Sequence, residues 1–139
     1  MSPSLHHSYI CGNLIAAFRA LGDYSVFSEL PLQINGKDYI PDLSLYPKRK
    51  INLVEEDVIK MTEMPLLACE VLSPTQGTQD VLSKFPIYFG AGIKSCWMVV
   101  PPLSSVLVYS APNVAQAFKT DEVVDAVLHI RLSLQEIFE

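Results

Sequence analysis

The stretch Leu66-Leu67-Ala68-Cys69-Glu70-Val71-Leu72-Ser73-Pro74-Thr75-Gln76 decides the reading of the chain. Its first seven residues are apolar except for one. Such an unbroken run marks a central strand buried on both faces. The next four read as a helix start. Ser73 can cap, Pro74 suits the first turn, and Gln76 can complete a capping box. The helix is expected to run to about Phe89. Gly77 weakens its first turn, Pro86 kinks or shortens its end, and Gly90 and Gly92 terminate it.

Outward from this unit, Lys94–Val100 reads as a second buried strand, broken by Pro101-Pro102. Val106–Tyr109 is expected to pair back on it. Upstream, residues 5–21 read as a helix with Ser4 as cap and Gly22 as terminator. His7, Ile10, Leu14, Ala17, Phe18 and Leu21 form its buried stripe. Tyr24–Ile34 and Tyr39–Tyr46 are strands joined at Asn35-Gly36, where both residues tolerate positive φ. Pro41 points to an edge position, a bulge or an early strand residue. Residues 47–64 read as a long solvated loop with a basic block, Lys48-Arg49-Lys50, and an acidic one, Glu55-Glu56-Asp57. Val123–Leu132 holds one more strand and Ser133–Phe138 a short terminal helix. The order is α-β-β-β-α-β-β and a tail, an α/β or α+β domain with a mixed sheet flanked by helices.

Composition fits one domain spanning 1–139. The chain is 50% hydrophobic and 18% charged, which excludes a disordered polymer. Its net charge of −5 gives no global attraction for phosphate. Nucleic-acid binding then needs a local basic patch or a metal. No run approaches the roughly 18 apolar residues of a membrane span. Met1–Tyr9 lacks the basic start of a signal peptide. Three cysteines without a CxxC pair read as free thiols in a reducing cytoplasm. There is no GxxxxGK[ST] loop, no GxSxG elbow and no HExxH spacing, so P-loop, α/β-hydrolase and zinc-site readings lose support.

The chemistry concentrates in a few residues. Glu70 interrupts a central strand, where a carboxylate costs several kcal/mol unless cations or donors compensate it. A structural ion pair is one explanation and a functional acid the other. Asp42 is a second acid in an apolar setting, read either as an edge-strand solvent residue or as a ligand. Two such acids on neighbouring strands could converge on one hard cation; Mg²⁺ uses one or two carboxylates and keeps waters for substrate phosphate. Asp80, Lys84 and Tyr88 are spaced four apart on one helix face. Alone, Asp80 and Lys84 read as an exposed pair. His7 falls on a buried stripe, where a hydrogen-bonded core histidine is the common case.

Pro41-Asp42, Glu70-Val71-Leu72-Ser73-Pro74, Lys84, Tyr88, Gly92-Ile93 and Trp97-Met98-Val99 together resemble the Uma-two family of restriction-type endonucleases, within the PD-(D/E)XK nuclease superfamily. His7-Ser8 and Glu136-Ile137-Phe138 add to the likeness, which runs from His7 to Phe138. The resemblance implies a restriction-endonuclease-like mixed β-sheet with a divalent-metal site at one end. It implies Mg²⁺, or Mn²⁺, held by Asp42 and Glu70, and hydrolysis of DNA phosphodiester bonds. Lys84 is implied to orient water or stabilise charge, and His7 to support from the first helix. Glu29 and Asp80 are weaker candidates for additional acidic roles.

Two departures stand beside the likeness. The superfamily lysine two residues after the second acid is replaced by Leu72, with Lys84 as its expected substitute. Members with this pattern begin earlier, so an N-terminal acid often counted with the site is expected to be missing. These departures favour a rival reading, a catalytically silent nuclease-fold module that binds a protein or nucleic-acid partner. DNA approach would rest on Lys48, Arg49, Lys50 and a few other basic residues. Exposed hairpin edges and high apolar content suggest a homo-oligomer such as a dimer, and the chain is expected in the cytoplasm.

Overall fold

The computed structural model describes residues 4–139. Part of the start read as lacking signal-peptide character, residues 1–3, lies outside the described residues. Helix α1 (Leu5–Ala20) begins at Ser4, whose side chain accepts from the His7 backbone N–H at 3.2 Å. It buries His7, Ile10, Leu14, Ala17 and Phe18, the stripe expected from their spacing. The strands and helices that follow are β1 (Tyr24–Ser28), β2 (Leu32–Ile34), β3 (Lys37–Tyr39), β4 (Leu43–Pro47), β5 (Leu67–Val71), α2 (Thr78–Leu82), α3 (Phe85–Gly90), β6 (Ser95–Val100), β7 (Ser105–Ala111), β8 (Val114–Phe118), β9 (Glu122–Asp125), β10 (Ile130–Ser133) and α4 (Leu134–Phe138).

The main sheet has six strands in the order β1-β4-β5-β6-β7-β8. Only β5 and β6 run parallel; their neighbours are antiparallel. The parallel pair needs a crossover, and α2 and α3 supply it. All five residues of β5 are buried, as its apolar run predicts. Side chains alternate across the sheet. Cys69 and Val71 join Trp97 and the α1 stripe on one face, where Phe18 and Trp97 rings meet at 5.2 Å. Ala68 and Leu72 join Val81, Phe85 and Tyr88 on the other. The mixed sheet flanked by helices is thus the expected α+β architecture. No helix among the described residues is long and apolar enough to cross a membrane.

Several boundaries differ from the sequence reading. The strand expected over Tyr24–Ile34 breaks at Glu29, where φ is 51°, and its second half pairs with β3 in a separate two-stranded sheet. The Asn35-Gly36 turn has the expected positive φ values, 52° and 77°. Pro41 precedes β4, so no ladder bond is lost to it. The helix expected from Ser73 to Phe89 is two short helices. Gly77, not Ser73, caps α2, and its N–H donates to Asp80 Oδ2 at 3.3 Å. Pro86 enters the first turn of α3, the one helical place where its missing N–H is harmless, so a new helix starts at Lys84. Val123–Leu132 is a hairpin of β9 and β10 rather than one strand. Strand β8 was not anticipated from the sequence.

Candidate active site

The site is built where four elements meet. Leu43 pairs with Cys69 and Ser44 with Ala68, so continuing the register brings Asp42 opposite Glu70. Beyond the end of β4 the ladder stops, and the Val71 N–H donates to Asp42 Oδ2 at 2.8 Å. That bond seats the Asp42 side chain against the end of the central strand. The first turn of α1 brings His7 Nε2 to 3.2 Å from the same oxygen. The ring is out of line for a hydrogen bond, so Nε2 is buried without a hydrogen-bond partner. The Cys11 thiol lies one turn along, 3.8 Å from His7 Nδ1.

Glu70 is 3% exposed. The Tyr88 hydroxyl donates to its Oε2 at 2.9 Å. The Lys84 ammonium, about a third exposed, stands 3.9 Å from that oxygen. Burial raises the Glu70 carboxyl; Lys84 pulls it down, Asp42 pushes it up, and hydrogen bonds from Tyr88 and the Asp42 backbone pull it down. The sum places it at about 7, well above the ordinary carboxyl value of 4.5. Desolvation therefore outweighs the ammonium at the edge of ion-pair distance. Burial holds the Tyr88 hydroxyl protonated, with Glu70 adding to it, so it remains the donor. Burial, followed by Asp42, pushes the Cys11 thiol up to about 12, so it is no nucleophile near neutral pH.

Of the residues singled out in the sequence, His7, Asp42, Glu70 and Lys84 come together. Glu29 lies at the rim, lining an open cleft of about 300 Å³ with His7 and Asp42. Its backbone N–H donates to the Asp42 carbonyl at 3.1 Å. Asp80 does not join them; it is exposed and serves the start of α2. Leu72 is buried in the apolar core, so no cation approaches from that position. The basic block leaves the far end of β4, about 20 Å along the chain from Asp42 at strand spacing. Tyr88 as the donor on Glu70 was not assigned from sequence. Its signal was the i, i+4 spacing from Lys84, which places both on one face.

No group of three or more His, Cys, Asp or Glu side chains is arranged around a metal position among the described residues. The donor set is two carboxylates, one with its pKa raised partly by the other. A cation between them would remove that repulsion. Two carboxylates are hard oxygen donors of the kind that Mg²⁺ or Mn²⁺ takes.

Comparison with curated proteins finds no match. Among solved structures, the chain is similar to the "putative nuclease belonging to DUF820 from Anabaena variabilis ATCC 29413", with a TM-score of 0.79 and 19% identity over 99% of this chain and 83% of that one. At that identity the likeness shows a common fold. A family described as "Uma2: Putative restriction endonuclease" matches residues 1–136. With residues 1–136 matched, nearly the whole chain, this protein belongs to the Uma2 family.

Proposed function

We infer that the chain is a metal-dependent DNA endonuclease that hydrolyses phosphodiester bonds with Mg²⁺ or Mn²⁺. The observation that carries this reading is the pair Asp42 and Glu70: Asp42 stands one residue beyond the β4–β5 ladder, its backbone bonds Glu70, and its charge adds to the burial that raises Glu70 to about 7. A buried carboxyl whose charge is disfavoured by desolvation and by a neighbouring acid is a group that a bound cation would stabilise in its charged form. The family description supports DNA as the substrate.

Asp42 and Glu70 would hold the ion. When bound, such an ion would supply Lewis-acid polarisation of the phosphate and a more acidic water. Tyr88 holds one Glu70 oxygen and so fixes how the carboxylate presents the other. The Val71 N–H does the same for Asp42, with His7 packed beside the bonded oxygen. Lys84, exposed enough to meet substrate, stabilises the negative charge that builds on the phosphate. In the reaction a water oxygen attacks phosphorus and loses a proton. The bond from phosphorus to the leaving sugar oxygen breaks, and that oxygen gains a proton.

The test is nicking of supercoiled plasmid with Mg²⁺ or Mn²⁺ by wild type and Glu70→Gln. Metal-dependent nicking absent in the variant is the expected result. Equal nicking by both would remove Glu70 from the site. A wild type inert across salt and both metals would support the silent-module reading, which the replacement of the superfamily lysine by Leu72 favours.

A further inference from the structure

Residues 51–60 are all exposed, an unusual length for a segment holding five aliphatic side chains. Leu53 is 90% exposed, Val54 95% and Ile59 79%. Single exposed aliphatics need no explanation, but a contiguous set does. The segment is also held in place. Arg49 grips Glu63 through both guanidinium nitrogens, at 2.8 and 2.9 Å, and stacks over the Tyr46 ring. At the other end Lys60 pairs with Asp38 at 3.0 Å, and Met61 bridges to Leu32. Between these anchors the hydrogen bonds are local, Asn52 to Glu55 and to Val54, and Asp57 to Val58. The loop is a presented surface pinned at both feet.

Its charges are ordered. Lys48 and Lys50 precede the aliphatic centre Ile51–Val54, and Glu55-Glu56-Asp57 follow it. Neither lysine makes an ion pair among the described residues. Between Phe27, Leu30 and the loop lies a recess of about 410 Å³. We propose that this loop is a two-fold interface with a second copy of the chain, Leu53 and Val54 at its centre and each copy's Lys48/Lys50 facing the other's Glu55-Glu56-Asp57.

The order of charges selects this occupant. A two-fold axis through the aliphatic centre satisfies both charge blocks of both copies at once and closes at two. DNA and anionic lipid would meet three carboxylates beside the same aliphatic residues, which repel them. The loop supplies fewer residues than the roughly 20–30 a side of a standard interface, so the dimer is weak and salt-sensitive. The inference is independent of the nuclease reading, because it uses none of His7, Asp42, Glu70 or Lys84.

The test is sedimentation equilibrium on wild type and surface variants, with circular dichroism to confirm folding. Wild type should pass between 15.4 kDa and twice that mass as concentration rises. Leu53→Asp with Val54→Asp should weaken association by about tenfold or more. Lys48→Glu with Lys50→Glu, and separately Glu55→Lys with Glu56→Lys and Asp57→Lys, should each abolish it. Mixing the two charge variants should restore a heterodimer, since each then opposes the other's sign at both ends. A wild type that stays monomeric overturns the proposal. So does a dimer indifferent to both charge variants, which would point to another face such as the β8 edge. Failure of the mixture to recover association overturns it as well.

Discussion

Glu70 shows how burial and charge compete at one residue. Its folded pKa of about 7 lies above the ordinary value of 4.5. Between those values the folded acid keeps a proton that the unfolded one has lost. Stability from this group is therefore complete below about pH 4.5 and declines as pH rises through about 7, by an amount on the order of 3 kcal/mol. Urea midpoints across this range should fall for wild type, with a shallower slope for Glu70→Gln. The same energetics predict the effect of metal. Near pH 8, about a unit above that pKa, Mg²⁺ should raise the melting temperature of wild type but not of Glu70→Gln, and chelation should reverse the gain. Tyr88→Phe keeps the ring in the core and removes only the donor on Glu70. Loss of such a supporting contact typically costs 10–100-fold, so nicking should fall by about that factor with folding retained.

At the level of elements, short connections decide where the site residues stand. Helix α1 carries His7 in its first turn, and Ser4 caps that turn. Ser4→Ala should lower stability by about 1 kcal/mol, measured by thermal unfolding. It should also weaken nicking, because fraying of this turn moves His7 off Asp42. The crossover shows the limit of local signals. Ser73, Pro74 and Gln76 satisfy a capping pattern, yet the backbone turns there and α2 starts later. Local hydrogen-bonding options at Ser and Pro are compatible with either structure, and the need to reach β6 chose between them. Pro86 was read as a helix end and instead opens α3, since proline is equally suited to either side of a break.

Across the whole molecule, one buried acid ties the layers together without belonging to the site. Asp125, fully buried, accepts from Ser95 Oγ at 3.1 Å, Trp97 Nε1 at 2.8 Å, and the Val127 and Leu128 N–H groups at 3.0 Å each. It fastens the β9–β10 hairpin to β6. Asp125→Ala would leave an indole and a hydroxyl unpaired in the core, at a cost of about 3–5 kcal/mol. Equilibrium denaturation should show that loss in the absence of any ligand, distinguishing it from the metal-linked effects expected at Glu70. The sequence does not mark Asp125 as the tie to β6, because its side-chain partners Ser95 and Trp97 are 30 and 28 residues away.

Much of this was legible along the chain. The α1 stripe, the β5 run and the Asn35-Gly36 turn are local periodicity and local backbone preference, which physics imposes within a few residues. Glu70 and Asp42 were legible as anomalies, acids whose neighbours are apolar. Their convergence was not, because it depends on the antiparallel register of β4 on β5 and on the ladder ending one residue short of Asp42. Lys84 and Tyr88 shared a face by spacing, but only the crossover's path turns that face onto Glu70. Strand β8, nearly all exposed, carries no burial pattern to read and exists because β7 offers it an edge. Sequence alone thus settles which segments must be buried and which charges are costly. Tertiary structure settles which of those charges meet, because register and chain path are set by contacts between residues far apart in the chain.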